Sequence, residues 1–291
     1  MTQTSVQHEF QAAHRANGSR PTVIIEPGRG LFNLDLAAVW QYRELLYFLV
    51  WRDVKSRYRQ TVLGAAWAIL QPFATMVILT MVFGHFARVP SDGIPYPIFA
   101  YAALLPWTYF AQAVGRSGIS VVSEANLIRK VYFPRLILPM TSVTTPLVDL
   151  AVSFPILIGL MLWFGVPVTL RVLALPALVL LAFAAALAVS LWLSALNVRY
   201  RDVGHTIPFL VQIWMYGSPV AYPLSLVPED LRLLYSLNPL VSVIEGFRWA
   251  LAGGPGVQPS QLLASITVVA VVLASGVLFF RRLEPAFADV V

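Results

Sequence analysis

Apolar residues run through this chain in long uncharged stretches, and the charges gather in the segments between them. Six stretches approach or exceed the roughly 20 residues that a helix needs to cross a bilayer. They are Val62–Phe86, Ile94–Gly115, Leu136–Phe164, Val172–Val198, Thr206–Val227 and Leu262–Phe280, and only the third carries a charge, Asp149. Pro72, Pro106, Pro146, Pro155 and Pro219 fall inside them, which membrane helices tolerate better than soluble ones. Ahead of the first run, Leu36, Val39, Trp40, Tyr47, Val50, Trp51 and Val54 recur at helical spacing behind a candidate N-cap, Asp35. This spacing predicts a helix over 36–59. Leu45, Phe48 and Leu49 lie on its other side, so it is either a helix lying in the membrane interface or a cytosolic cap helix. Residues 228–260 are too apolar for a free loop and too interrupted for a span. Short helices that dip into the outer leaflet and return fit that pattern. The expected fold is all-α and integral to the membrane: six spans over 35–285, an N-terminal amphipathic interfacial helix, and re-entrant outer helices between spans five and six. Residues 1–34 read as a loosely docked tail and 286–291 as a short C-terminal one.

Composition agrees with that pattern. The 291 residues are 58% hydrophobic and only 12% charged, with a mean hydropathy of +0.73; soluble domains carry about 25% charged residues. The net charge is +6, but the basic residues sit at the edges of apolar runs rather than in a polar patch, so no nucleic-acid partner is expected. With an inside N-terminus, sixteen of the 20 Lys and Arg fall on the inner side and four, Arg88, Arg171, Arg232 and Arg248, on the outer. The positive-inside rule then puts both termini in the cytoplasm. Residues 1–60 lack the short apolar core and small-residue site of a cleaved signal peptide.

The segments between spans carry the candidate chemistry. Arg52, Lys55, Arg57 and Arg59 precede the first span directly. They would attract anionic lipid headgroups or a phosphate-bearing substrate, or they are simply the positive-inside signal. The loop 116–135 has Ser123 as a possible helix cap and Pro134 as a stop. It exposes Leu127, Ile128, Val131 and Phe133 beside Arg129 and Lys130 unless something covers them. That patch suits a protein partner, or a helix resting on headgroups. Asp149 is the lone carboxylate deep in a span, which makes it a functional candidate; Ser142, Thr144, Thr145 and Ser153 are near enough in sequence to serve it in a structural role. Trp67, Phe73, Trp214 and Tyr216 lie within spans. They are either belt and core residues or flat faces suited to a sugar chain.

Several chemistries are missing. Cysteine is absent, which removes disulfides, thiolate metal sites and Cys nucleophiles. No G-x-x-x-x-G-K-[ST] or H-E-x-x-H occurs, so the chain is expected to have no ATPase site, no metal and no catalytic residues of its own.

Arg52-Asp53-x-Lys55-x-Arg57-Tyr58-Arg59-Gln60-Thr61-x-Leu63-Gly64-x-x-Trp67, followed by Leu70-Gln71-Pro72, resembles the permease subunits of ABC-2 type exporters. The branch that exports O-antigen and related cell-surface polysaccharides is the most similar. Leu127-Ile128-Arg129-Lys130-Val131-Tyr132-Phe133-Pro134-Arg135-x-x-Leu138-Pro139 is similar to that branch too, as is the weaker Asn238-Pro239. The resemblance covers about residues 35–282. It implies a homodimer on two copies of a separate nucleotide-binding ATPase, which carries the ATP and Mg. It also implies a coupling helix seated in that ATPase over Asn126, Leu127, Ile128, Arg129, Lys130 and Val131. The implied substrate is a polyprenyl-pyrophosphate-linked polysaccharide, with Lys55, Arg57 and Arg59 as the cations to receive it. Aromatics of the kind of Trp67, Phe73, Trp214 and Tyr216 would line a conduit between the two copies. A teichoic-acid or capsular polysaccharide exporter stands as the alternative within the class. Outside the class, the alternative is an ATPase-independent channel or a lipid-modifying membrane enzyme.

Overall fold

A computed structural model describes residues 36–59 and 64–287. The predicted tail 1–34, the cap Asp35, the first residues of span one and positions 288–291 lie outside the described residues. The rest forms an all-α, multi-pass membrane fold. Four segments are long and apolar enough to cross a membrane: Ala66–Phe86, Ile137–Trp163, Leu170–Arg199 and Pro259–Leu283.

The predicted helix over 36–59 is two, α1 (Leu36–Gln41) and α2 (Arg43–Arg59). Arg43 explains the break, because its guanidinium donates to the Trp40 carbonyl at 3.3 Å and lies over the Trp40 ring. A carbonyl left without an intrahelical partner is thereby satisfied. Leu49 and Val54 of α2 are buried, while Tyr47, Phe48 and Trp51 are exposed. The first apolar run forms α3 (Gly64–Leu79) and continues as a π-helical stretch over Thr80–Phe86.

The second run forms α4 (Tyr96–Ser123), which continues well past the predicted end at Gly115. The extension contains Ser117, Gly118, Ser120 and Val121, all buried. Its hydroxyls turn back onto the helix, Ser120 to the Ser117 carbonyl and Ser123 to the Ser120 carbonyl, so a stretch that reads as polar packs as helix. Ser123 therefore caps nothing. The next helix, α5 (Ala125–Lys130), starts from Glu124 without a side-chain cap. From Ile98 to Phe110, α4 is buried on nearly every side. It is the axis of the fold, as expected of a helix apolar all round.

The third run breaks at Thr145 into α6 (Ile137–Thr144) and α7 (Pro146–Trp163), because Pro146 brings no N–H to continue the ladder. A 3₁₀ turn leads into α8 (Leu175–Arg199). The fifth run yields only α9 (Asp202–Tyr216). Gly217, Pro219 and Pro223 end it well before the predicted Val227, and Pro219 and Pro223 exclude a continuous helix. Two short helices follow, α10 (Glu229–Tyr235) and α11 (Pro239–Ala252), the latter closed by Gly253 in the left-handed region at φ +75°, a conformation that glycine adopts without penalty. The last helix is α12 (Pro259–Leu283). It approaches α8 so closely that a Cβ on Gly276 would sit 3.0 Å from the Ala188 carbonyl oxygen.

Two apolar cores result. The larger surrounds α4, drawing on α7, α8 and α11. The smaller lies at the basic end and joins Val39, Leu49, Ile128, Phe133, Ile137, Val198, Phe280 and Phe287.

Candidate functional site

The smaller core fixes the posture of α5. Ile128 is the buried residue of that helix, and Phe133 just beyond it is buried as well. Of the four apolar residues that the loop would expose unless covered, these two are covered by the protein itself, in one core with residues of α2, α6 and α12. Asn126, Arg129, Lys130 and Val131 remain exposed and Leu127 half-buried; Tyr132, 68% exposed, extends the patch. Together the segment bounds a surface groove of about 250 Å³.

Two polar ties brace the segment, one at each flank. Before α5, the Arg52 guanidinium donates to both Glu124 carboxylate oxygens, the nearer at 2.5 Å, and to Asp53 at 2.9 Å. The Glu124 bond outweighs partial burial and holds the Arg52 guanidinium above its ordinary pKa. After α5, the Arg135 backbone N–H donates to the Glu284 carboxylate at 3.2 Å, and the Arg135 guanidinium reaches the Glu284 carbonyl. A recess of about 170 Å³ opens beside the first tie, lined by Arg52, Asp53, Arg116, Ser123, Glu124 and Ser142.

At the C-terminal end of α2 the three candidate cations diverge. Lys55 and Arg59 are exposed, whereas Arg57 forms an ion pair with Asp149 in the first turn of α7. Its guanidinium also donates to Gln112 of α4 at 3.4 Å. The neighbouring Tyr58 hydroxyl donates to the other Asp149 oxygen at 2.5 Å. The hydroxyls nearest in sequence are committed elsewhere. Thr144 and Thr145 donate to the Met140 and Thr141 carbonyls, and Ser153 to the Ala68 and Asp149 carbonyls. Mid-helix Ser and Thr habitually bond back to i−4. The carboxylate therefore draws its donors from α2, some ninety residues earlier, and not from its own helix.

The aromatic candidates separate as well. Trp67 and Phe73 stand exposed on α3 and Tyr216 on α9. Trp214 turns inward, with its indole N–H donating to Asn238 Oδ1 at 3.1 Å and its ring meeting Phe110 edge-on at 5.1 Å. Among the described residues no ring contact joins the α3 pair to the α9 pair. Asn238 is a hub: its Oδ1 also accepts from the Leu240 N–H, capping α11, and its amide donates to the Gly217 carbonyl and the Ser218 hydroxyl. The Asn238-Pro239 pair thus has a structural reason.

Arg248, in the sequence one of four outer cations, has a partner that the charge distribution does not reveal. Both Arg248 and Glu245 are fully buried in α11, paired at 2.7 Å. The guanidinium also donates to the Phe99, Tyr222 and Val220 carbonyls and lies 3.4 Å from the Phe99 ring centroid. Glu245 accepts in turn from the Leu224 N–H. The available signal was an acid and a base at i,i+3 within an otherwise apolar helix.

Among the described residues there is no cluster of three or more His, Asp or Glu suited to a metal ion. The described residues thus form a multi-pass helical membrane body with a braced, partly exposed helix, α5, at its basic end. The chain belongs to the ABC-2 type transporter family, whose profile matches residues 44–252. It is 34% identical over 251 residues to the O-antigen export system permease protein RfbA of Myxococcus xanthus, covering 84% of this chain and 95% of the relative. It is 26% identical over 249 residues to the protein of that name from Klebsiella pneumoniae, at 85% and 95% coverage. With the polysialic acid transport protein KpsM of Escherichia coli it shares 26% over 247 residues, at 81% and 92% coverage. The chain is accordingly a multi-pass inner-membrane permease subunit of the polysaccharide-export branch, and membership in an ABC transporter system implies an ATPase partner.

Proposed function

We propose that the chain is the membrane half of an ATP-driven exporter, a homodimer on two ATPase copies, that carries a polyprenyl-pyrophosphate-linked polysaccharide of the O-antigen type across the inner membrane. The observation that carries this reading is the posture of α5. Ile128 anchors it, Arg52–Glu124 and Arg135–Glu284 brace it, and Asn126, Arg129, Lys130 and Val131 are turned outward. A helix held this way passes a push from a docked ATPase into α2 and α12 together. Closure of the ATPase pair then tilts the two permease copies and opens a conduit at their interface. Trp67, Phe73, Trp214 and Tyr216 belong to the helices that flank it, and many weak aromatic contacts let a polymer slide without tight binding at any one sugar.

In this reading six spans are made by α3, α4, the α6–α7 pair, α8, α9 and α12. Both termini are cytoplasmic, α1–α2 lies in the inner interface with Tyr47, Phe48 and Trp51 toward lipid, and α10–α11 is the re-entrant outer pair. The positive-inside distribution of Lys and Arg supports that orientation. Lys55, Arg57 and Arg59 receive the pyrophosphate from the inner leaflet. The likeness to a polysialic acid transport protein favours one second reading, a capsular polysaccharide as cargo.

The test is purification of the tagged protein from native membranes in mild detergent. A stoichiometric P-loop ATPase with vanadate-sensitive hydrolysis is the expected result. A homo-oligomer without any ATPase, under conditions that preserve other membrane complexes, would overturn the reading in favour of a channel or membrane enzyme.

A further inference from the structure

We propose that the Asp149 carboxylate is an internal stand-in for the substrate's phosphate: at rest it occupies the donors of Arg57 and Tyr58, and a lipid pyrophosphate headgroup gains them only by displacing it. The proposal rests on the exporter reading above and deepens it.

Three observations support it. The first is the donor set. A guanidinium and a phenol hydroxyl converge on one carboxylate from adjacent positions near the end of α2, and both groups serve a phosphate oxygen equally well. The second is the flanking charge. Lys55 and Arg59, two residues to either side of Arg57, are exposed, so an incoming anion is drawn to this end of α2 before it meets the engaged cation. The third is space. The cavity beside the carboxylate, lined by Ala68, Pro72, Gln112, Asp149 and Ser153, measures only about 10 Å³, no more than one small probe sphere. On that side no phosphate fits next to the carboxylate, so a headgroup reaches the donors that Asp149 occupies by taking its place.

The exchange has a direction. A pyrophosphate brings more charge and more acceptor oxygens than one carboxylate, so it out-competes Asp149 once its lipid tail concentrates it in the inner leaflet. A neutral or singly charged headgroup lacks that advantage, which makes Asp149 a filter for headgroup charge. The exchange also frees the tip of α2 from α7. The same helix carries Arg52, tied to Glu124 at the start of α5, so headgroup capture at Arg57 and the posture of the coupling segment share one rigid element. By linkage, the ATPase state then alters headgroup affinity and the reverse.

The experiment uses the permease–ATPase complex in nanodiscs, with geranylgeranyl pyrophosphate as the probe. Asp149→Asn keeps the shape and removes the competing charge. It is expected to tighten probe binding about tenfold, the scale of one charged hydrogen bond, and Arg57→Gln added to it should abolish the gain. Asp149→Glu, which retains a carboxylate, should show no tightening. The wild-type complex gives a second readout: the probe should raise deuterium uptake at residues 146–150, the turn that loses its tether. Equal or weaker binding by a folded Asp149→Asn complex, or lowered uptake at that turn in the wild type, overturns the proposal while leaving the exporter reading intact. No probe binding by either protein sinks the lipid-pyrophosphate reading and this proposal with it.

Discussion

Arg52 and Glu124 stand 72 positions apart in the chain, yet the guanidinium reaches the carboxylate at 2.5 Å and joins α2 to the start of α5. Both side chains are partly exposed, and such pairs contribute only about 0.2–1 kcal/mol to stability. In the proposed coupling their role is mechanical. Arg52→Glu alone should leave expression and melting temperature nearly unchanged while lowering export several-fold and leaving ATP hydrolysis running. Arg52→Glu with Glu124→Arg should restore export. Surface polymer per ATP hydrolysed is the quantity to follow, and a swap that rescues nothing would show that the pair transmits no force.

The tie behind α5 has a different energetic character, because it is backed by packing. Phe287 is 1% exposed and meets Phe280 edge-on at 5.1 Å, within the core that also holds Phe133 and Ile128. Phe287→Ala removes a fully buried ring and should cost about 3–5 kcal/mol, visible as a lower melting temperature by size-exclusion fluorescence. Glu284→Ala removes one acceptor from the Arg135 N–H and should cost about 1 kcal/mol. The two variants should lower export in the same order, because both loosen the segment that carries Arg129 and Lys130.

Arg129 and Lys130 are the cations that α5 presents outward. Reversing both to Glu should uncouple ATP hydrolysis from export while membrane insertion stays normal, since neither side chain belongs to a core. Normal surface polymer in the double variant would remove α5 from the coupling path.

The rhythm of the spans is legible in the sequence because an uncharged run of about 20 residues matches the thickness of a bilayer's hydrocarbon core. The places where the runs break are less so. Pro146 signals the α6–α7 break, but Pro72, Pro106, Pro155 and Pro208 sit inside continuous helices, so proline alone does not decide. The α4 extension reads as loop because Arg116, Ser117 and Ser120 look polar, and only the burial of the two serines against neighbouring helices shows otherwise. The exposed part of α5 is legible from its motif. The donors to Asp149 are not, since nothing local links it to Arg57 and Tyr58 across ninety residues. The Glu245–Arg248 pair was open to reading from its spacing alone.

Asn238 joins three elements with one amide, since it caps α11, accepts from Trp214 on α9 and donates to the Gly217 turn. Asn238→Ala should cost about 1–2 kcal/mol for the lost cap, with more from the stranded indole N–H. Trp214→Phe removes the indole donor and part of the ring that meets Phe110, so its cost combines a lost hydrogen bond with lost packing. Thermal melts of the two single variants and the double give the coupling between α9 and α11, and strictly additive losses would show that Asn238 does not link them.

Glu245 and Arg248 form an ion pair almost wholly withdrawn from water. Two charges withdrawn from water repay their desolvation only with close pairing and further hydrogen bonds. Arg248 has both, through Glu245 and the Phe99, Tyr222 and Val220 carbonyls. Removing one partner strands the other, so Glu245→Gln and Arg248→Met should each destabilise the protein by about 3–5 kcal/mol. The losses should fall on different structures. Arg248→Met strands the Glu245 carboxylate and the Val220 and Tyr222 carbonyls after α9, so it should loosen the whole α11 region. Glu245→Gln leaves the guanidinium its carbonyl acceptors and keeps an oxygen for the Leu224 N–H, so it should be the milder of the two. Glu245→Leu with Arg248→Met withdraws both charges and should recover part of the loss. Deuterium uptake across 217–227 and 239–252 separates these cases, with the greatest rise expected for Arg248→Met. Equal protection in all three variants would mean that packing of α11 against α4, rather than the ion pair, holds this end of the molecule together.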